Sequence, residues 1–210
     1  MHRSLLELAV ALVVGLSTSC SQMASPTRAK TEAVVGSKAN SRPDEFAVNN
    51  SPLKLPLVNP KIVVRKTQRR LMLYSNDKLV RVYRVGLGLS PIEDKVKAGD
   101  RRTPEGEFYV FTKNDKSAFY LSLGLSYPNE DDARRGLRDG LINRLQYNQI
   151  FNAIRRKVRP PQDTALGGEI YIHGNGSQSD WTWGCVALDD KDVRELFGAV
   201  PVKTSVVIEH

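Results

Sequence analysis

From Lys61 to its end the chain repeats short runs in which apolar and polar residues alternate. Alternation with a period of two is typical of β-strands that bury one face. The "SNDK" between the second and third runs suits a hairpin loop. The pattern therefore predicts a mainly β fold. The runs are "KIVVRK", "RRLMLY", "LVRVYRVGLG", "GEFYVF", "GEIYIHG" and "SVVIE".

Helical patterns are fewer and lie between these runs. One covers residues 147–154, with apolar side chains at i, i+3, i+4 and i+7. Another follows residue 188, where Asp189 or Asp190 can cap the first turn. Roughly 150 residues suit a single core. We therefore predict one domain at 61–210, with a few short helices inserted between strands.

The first twenty residues have the composition of a secretion signal. A polar start precedes an apolar run, Leu8 to Leu16, that is too short for a transmembrane helix, which needs ~20 apolar residues. The segment ends in "LSTSC", which resembles a bacterial lipobox, whose cysteine is lipidated. Cleavage nearby without lipidation is the alternative. We predict a signal peptide at 1–20, with Cys20 as the candidate lipidation site.

Residues 21–60 are rich in Ser, Thr, Ala, Asn and Pro and show no sustained apolar period. Such a composition buries too little surface to offset the entropy lost on ordering. We predict that this segment is a flexible linker between the signal peptide and the domain.

The chain is basic, with a net charge of +8 and a pI of about 9.6. This charge favours anionic partners, which include nucleic acid, anionic lipid and acidic wall polymers. An export signal removes nucleic acid as a routine partner. We expect a monomer in the periplasm or cell envelope that binds no nucleic acid.

The stretch "IHGNGSQSDWTWGCVAL", residues 172–188, holds one of three histidines and one of two cysteines. If Cys20 is acylated or removed, Cys185 has no disulfide partner. It is then either a buried, inert residue or a reactive thiol. We expect His173, at a strand end, to meet Cys185 through a hairpin-like return. A thiol nucleophile needs such a base nearby, because only the thiolate attacks.

Gly184 leaves the backbone before the cysteine unobstructed, so the N–H groups of residues 183–185 can point at an oxyanion. From the residues alone, the alternative is a small buried cysteine and a hydrogen-bonded histidine without chemistry. A zinc site needs three or four ligands, and His2 and His210 lie in segments not expected to reach this loop. We therefore predict no metal and no cofactor.

Three motifs stand in a fixed order: "RTPEGEF" at 102–108, His173 with Gly174, and "TWGC" at 182–185. In this order they resemble the Thr-Pro-x-Gly-x-Phe, His-Gly and Ser/Thr-x-Gly-Cys segments of the L,D-transpeptidase catalytic domain. This is the YkuD-type family of cysteine acyltransferases of bacterial cell walls. The resemblance covers residues 61–209 and implies an L,D-transpeptidase-type β-sandwich.

The resemblance also implies a mechanism, with Cys185 as the nucleophile and His173 as the proton acceptor and donor. The thiolate would attack the meso-diaminopimelate carbonyl of a peptidoglycan stem peptide and expel D-alanine or another amine. Water or an acceptor amine would then resolve the thioester. The backbone N–H groups of Trp183 and Gly184 would form the oxyanion hole. The expected substrate contacts are Tyr171, Gly174 and Asn175.

Two departures separate this chain from many members of the family. Where those carry Ser-His-Gly-Cys and a basic residue soon after it, this chain has Trp183 and Ala187. "SDWTWGCVAL" and "YPNEDDARRG" are closer to a subgroup with the motif Trp-x-x-Gly-Cys-x-Ala, which includes enzymes that release covalently attached protein from peptidoglycan. Transfer, L,D-carboxypeptidase action, hydrolytic detachment of protein and non-catalytic wall binding therefore stay open.

A cluster of basic side chains follows the first predicted helix. Cations are favoured at a helix C-terminus by the helix dipole, so we interpret the cluster as a solvated basic end. A contact with carboxylate-rich wall or anionic lipid is the alternative. The cluster consists of Arg155, Arg156, Lys157 and Arg159.

Overall fold

The structure is a computed structural model and describes Asn49 and residues 51–210. The predicted signal peptide, Cys20 and most of the predicted linker lie outside the described residues. The elements in chain order are β1 (Pro60–Arg65), β2 (Arg70–Ser75), β3 (Lys78–Arg84), β4 (Gly106–Ser117), β5 (Tyr120–Leu125), α1 (Glu130–Arg138), α2 (Arg144–Arg155), β6 (Tyr171–His173), β7 (Val186–Ala187), α3 (Asp190–Ala199) and β8 (Ser205–Glu209).

The strands form one eight-stranded sheet in the order β3-β2-β1-β8-β4-β5-β6-β7. The long strand β4 belongs to both halves, since residues 106–109 pair with β8 and later residues pair with β5. The sheet curls until its ends meet. Gly86, just after β3, and Ala187 of β7 exchange two backbone hydrogen bonds of 2.9 and 2.8 Å. The core therefore lies between two halves of one curled sheet.

The hairpin between β2 and β3 turns at Asn76 and Asp77, whose φ angles are +49° and +61°. Two consecutive residues with positive φ are what a type I′ turn requires, and Asn and Asp tolerate this conformation. The hairpin loop predicted from "SNDK" is therefore confirmed.

The main core anchors the strands that carry the candidate site. Leu123 of β5, Ile172 of β6 and Val186 of β7 are fully buried, and they lie side by side in the register of the three strands. Burial of a side chain of this size contributes about 1.5–3 kcal/mol. Because neighbouring residues of a strand point to opposite faces, this anchoring fixes what the other face presents.

A smaller core joins α1 and α2. Each helix begins with an asparagine that forms a capping box, Asn129 for α1 and Asn143 for α2. The side-chain amide oxygen accepts from the third helical N–H, which satisfies a backbone group that has no partner inside the helix. The buried residues of this core are Ala133, Ile142, Ile150 and Leu166.

The last part of the predicted linker makes contacts with the domain. Leu53 and Leu57 pack against the main core. The amide of Asn49 accepts from the backbone N–H of Val82 at 3.0 Å and donates to its carbonyl at 2.7 Å. Ordered contacts therefore begin before Lys61.

The predicted mainly β fold with a few short helices is confirmed. The helix predicted over 147–154 is part of α2, and the one after residue 188 is α3. At the start of α3 Asp189 makes no side-chain capping hydrogen bond. The sequence patterns did not indicate α1, β5 or β7. No helix among the described residues is long and apolar enough to cross a membrane.

Candidate active site

His173 ends β6 and Cys185 directly precedes β7, and these two short strands lie side by side. They run parallel, with His173 opposite Ala187, so the predicted hairpin-like return is wrong. A parallel pair needs a connection that crosses back to the start of the neighbouring strand, and the loop 174–185 provides it. Two backbone hydrogen bonds to the carbonyl oxygen of Leu87, at 3.0 and 3.1 Å, anchor this loop.

The register places the two reactive side chains on one face. Side chains alternate along a strand, so Tyr171 and His173 share a face of β6. Cys185 lies opposite Tyr171 in the strand register. The backbone N–H of Tyr171 donates to Sγ of Cys185 at 3.4 Å. His173 lies two residues, or about 7 Å, further along the strand direction. Both His173 and Cys185 line one cavity of about 300 Å³.

His173 is 2% exposed and its ring is held by aromatic neighbours. It stacks on Phe119 at 4.6 Å between centroids and lies edge-on to Trp181 at 5.5 Å. Nδ1 is 2.8 Å from the carbonyl oxygen of Gly174. A carbonyl oxygen only accepts, so Nδ1 carries the proton and Nε2 keeps a free lone pair. Burial lowers the pKa of His173 below its usual range, and the hydrogen bond to Gly174 opposes this only in part.

The Cys185 thiol lies against the backbone of the neighbouring strand. Its Sγ accepts from Tyr171 N–H and donates to the carbonyl oxygen of Glu169, both at 3.4 Å. Burial raises the pKa of the Cys185 thiol to about 11, and the Glu169 carboxylate adds to this, while the Tyr171 N–H and the Lys95 ammonium oppose it. The resting group at pH 7 is therefore a thiol, so a base must take its proton during attack.

Residues 182–185 form a tight turn around the hydroxyl of Thr182. Thr182 is buried, and its Oγ1 accepts from Gly184 N–H at 3.1 Å and donates to the carbonyl oxygen of Cys185 at 2.8 Å. Gly184 has a φ of +132°, which L side chains rarely adopt. The turn thereby fixes the backbone that carries the thiol.

A loop at residues 89–105 supports this turn from behind. A Cβ on Gly184 would lie 2.6 Å from the carbonyl oxygen of Arg102, so the two backbones touch. The loop folds around the buried carboxylate of Asp100, which accepts from Lys95 Nζ at 2.7 Å and from three backbone N–H groups. The Lys95 ammonium, which opposes the rise of the thiol pKa, is thus held in place by a buried ion pair.

Residues 59–208 match the family model of the YkuD L,D-transpeptidase catalytic domain. The chain belongs to this family. No curated protein matches it in sequence.

Three solved structures are similar to this chain at low sequence identity. An L,D-transpeptidase from Xylanimonas cellulosilytica is 15% identical with a TM-score of 0.43, and the match covers 78% of this chain and 67% of that one. The helical cell shape determining protein Pgp2 from Campylobacter jejuni is 23% identical with a TM-score of 0.49, covering 72% and 47%. Bd1075 from Bdellovibrio bacteriovorus is 20% identical with a TM-score of 0.48, covering 73% and 48%. This chain spans about half the length of the last two.

In this L,D-transpeptidase domain the predicted site residues fall into two groups. Cys185, His173 and Tyr171 line the cavity. Gly174 and Asn175 are not among the residues that line the cavity. The backbone N–H of Gly174 donates to the carbonyl oxygen of Phe119, and that of Asn175 donates to the carboxylate of Asp190. Any substrate contact through Gly174 and Asn175 stays a prediction.

Of the two predicted oxyanion donors, Trp183 lies on the exposed side of the turn, and Gly184 lies inside the turn. Trp183 is 67% exposed, and the guanidinium of Arg101 lies 4.9 Å from its ring centroid. The N–H of Gly184 is donated to Thr182. An oxyanion hole at Trp183 and Gly184 stays a prediction.

The sequence motifs did not indicate the cavity wall that the β4–β5 hairpin provides. Ser122 of β5 pairs with His173 in the strand register, and Phe119 stacks on its ring. The signal was a second alternating run, "YLSLGL", two residues after the polar "KNDKS". The cavity residues that the sequence did not indicate are Asn114, Ser117, Ala118, Phe119, Ser122 and Glu169.

Gly184→Ala should destabilise the domain by about 2–4 kcal/mol, because it combines a strained φ with a backbone clash. Urea unfolding of the variant and the wild type measures the change. Gly198→Ala is the matched control: Gly198 is exposed in α3, and an added Cβ meets no described atom within 4 Å outside its own helix. This control should be about 0.5–1 kcal/mol more stable than the wild type. Equal effects of the two substitutions would contradict the described turn.

Proposed function

We propose that this domain is a cysteine acyltransferase acting on peptidoglycan stem peptides at the meso-diaminopimelate carbonyl. The observation that carries the proposal is a cavity lined by both Cys185 and His173, with Nδ1 of the imidazole 2.8 Å from the carbonyl oxygen of Gly174. Membership of the L,D-transpeptidase family supports the wall peptide as the substrate.

The reaction begins when Sγ of Cys185 attacks the peptide carbonyl. The S–C bond forms while Nε2 of His173 accepts the thiol proton, which makes the ring an imidazolium. The C–N bond then breaks, and the imidazolium returns the proton to the leaving D-alanine or other amine. The thioester on Cys185 is finally attacked by an acceptor amine or by water, which regenerates the thiol.

Both groups start neutral, so His173 acts as a general base and not as the partner of a preformed thiolate. With a thiol pKa of about 11, the thiolate fraction at pH 7 is on the order of 10⁻⁴. The Nδ1–H bond to Gly174 becomes charge-assisted once the ring is protonated, which stabilises the imidazolium. Phe119 and Trp181 hold the ring plane during the transfer.

The negative charge on the attacked carbonyl needs hydrogen-bond donors at the same turn. The backbone N–H groups of Trp183 and Gly184 are the proposed donors. Because Gly184 already donates to Thr182 at 3.1 Å, it would serve the oxyanion as a shared donor. Trp183 would then carry the larger part of this stabilisation.

Location outside the cytoplasm, in the periplasm or cell envelope, is part of this proposal, because the proposed substrate is in the wall. Lipidation of Cys20, a monomeric state and the absence of nucleic-acid partners belong to the same proposal. Fractionation and size measurement of the full-length protein would test each of them.

Digestion of purified sacculi tests the proposed function. The full-length protein is incubated with sacculi, and the muropeptides are separated and identified by mass. New 3-3 cross-links indicate transfer, shortened stems a carboxypeptidase, and freed protein a detaching hydrolase. A muropeptide profile identical to that of untreated sacculi would contradict the proposal and favour a wall-binding module.

A further inference from the structure

Glu169 holds a carboxylate beside the reacting sulfur. The carbonyl oxygen of Glu169 lies 3.4 Å from Sγ of Cys185, and its N–H donates to Oε1 of Gln162 at 2.7 Å. Its φ of +55° is uncommon for a residue other than glycine. The main chain of Glu169 is therefore fixed relative to the nucleophile, while its side chain is 58% exposed.

Arg159 meets this carboxylate from the outside. A guanidinium nitrogen lies 2.5 Å from Oε1 of Glu169, and the hydroxyl of Tyr171 donates to Oε2 at 2.9 Å. The guanidinium also lies over the ring of Phe111, 5.8 Å from its centroid. Arg159 lies beyond the end of α2 at Arg155, so the helix dipole does not account for its position.

The ion pair stands between two depressions. Glu169 lines the cavity of Cys185 and also an open groove of about 820 Å³ that contains Arg159. A ligand that extends from the thiol over Glu169 into this groove meets a carboxylate first and a guanidinium next. The other polar residues of the groove, Gln149, Gln162 and Asp163, suit a peptide.

An ion pair this exposed contributes little to the stability of the fold. The carboxylate nevertheless belongs to the residue whose carbonyl oxygen contacts the thiol, and the guanidinium is paired with that carboxylate. The guanidinium fork matches a carboxylate, and the carboxylate matches an ammonium group. Side by side they complement an amino-acid centre that carries both groups on one carbon.

We propose that Glu169 binds the ammonium and Arg159 the carboxylate of a free amino-acid centre in the peptide substrate. This rests on the proposed function and names the substrate determinant of that site. Diaminopimelate carries such a centre three methylene groups away from the α-carbon beside the attacked carbonyl. The pair therefore selects diaminopimelate stems over lysine stems, which lack the carboxylate, and over stems whose distal carboxylate is amidated.

A double-mutant cycle that combines one protein variant with one modified substrate tests this proposal. D-Alanine release by the full-length protein and by Arg159→Gln is measured on a diaminopimelate tetrapeptide and on its distally amidated analogue. Removing the guanidinium or the carboxylate alone should lower kcat/KM about tenfold, the effect of one charge-assisted hydrogen bond. Removing both should lower it little further, because the second change has no contact left to break.

Arg65→Gln is the matched control, since Arg65 forms an exposed 2.7 Å ion pair with Glu209 at the far ends of β1 and β8. It should leave kcat/KM unchanged on both peptides. Glu169→Gln should lower turnover of both peptides about tenfold, because both keep the ammonium group. It should not slow acylation by a carbapenem without a cationic side chain, which reports thiol reactivity alone.

Additive losses in the cycle, or full activity of Arg159→Gln on the diaminopimelate peptide, overturn this inference alone. A loss of carbapenem acylation in Glu169→Gln as large as the loss on peptides also overturns it, because Glu169 would then act on the thiol. If the wild type neither releases D-alanine nor forms a carbapenem adduct, the proposed function fails and this inference fails with it.

Discussion

Replacing His173 by glutamine is expected to lower kcat/KM for D-alanine release by about 10²–10⁴-fold, the contribution of a positioned general base. The glutamine amide is neutral and similar in length to the imidazole, but it has no basic nitrogen. The thiol, with a pKa of about 11, then has no acceptor for its proton. Thermal unfolding of the variant shows whether the fold is kept.

Phe119→Leu is the control for packing, because it removes the ring stacked on His173 and leaves the imidazole. Its loss should stay below about tenfold, since only the orientation of the base is relaxed. A Phe119→Leu variant as inactive as His173→Gln would contradict the role of the imidazole as a base.

The pH profile separates proton transfer from packing. Burial lowers the pKa of His173, so the lone pair on Nε2 is available at neutral pH and is lost as pH falls through that lowered pKa. The kcat/KM of the wild type should fall about tenfold per pH unit below it. The thiol should add no limb until the pH approaches about 11. The acid limb should be missing in His173→Gln, and its persistence there would assign it to another group.

Cys185→Ala should lower the turnover of stem peptides by about 10⁴-fold or more, because no thioester can form without the sulfur. Cys20→Ala removes the other cysteine of the chain and should keep full activity. Muropeptide release from sacculi measures both variants. A loss of less than about tenfold in Cys185→Ala would place the nucleophile elsewhere.

Local patterns in the sequence predict most of the sheet, because each strand buries one face. They miss α1, whose nine residues "EDDARRGLR" are mostly charged. This helix is stabilised by its Asn129 capping box and by the ion pair of Arg135 with Asp132, at 2.7 Å, and less by an apolar stripe. They also miss β7, because two residues show no period.

The reactive pair could be predicted because histidine and cysteine are rare in this chain and stand in one short stretch. The cavity around them could not, since it depends on strand pairing between distant segments. The register of β5 against β6 brings Ser122 to His173, and nothing local to either segment encodes that register. Ala187 of β7 likewise pairs with Gly86, which belongs to a segment far away in the sequence.

The intact mass of the full-length protein after incubation with a carbapenem tests the central claim most directly. A β-lactam carbonyl acylates a thiol with ring opening, so the thioester keeps the whole mass of the compound. One adduct should form on the wild type and on Cys20→Ala, and none on Cys185→Ala. A wild-type chain that stays unmodified, or an adduct that persists on Cys185→Ala, would show that Cys185 is not an acylating nucleophile.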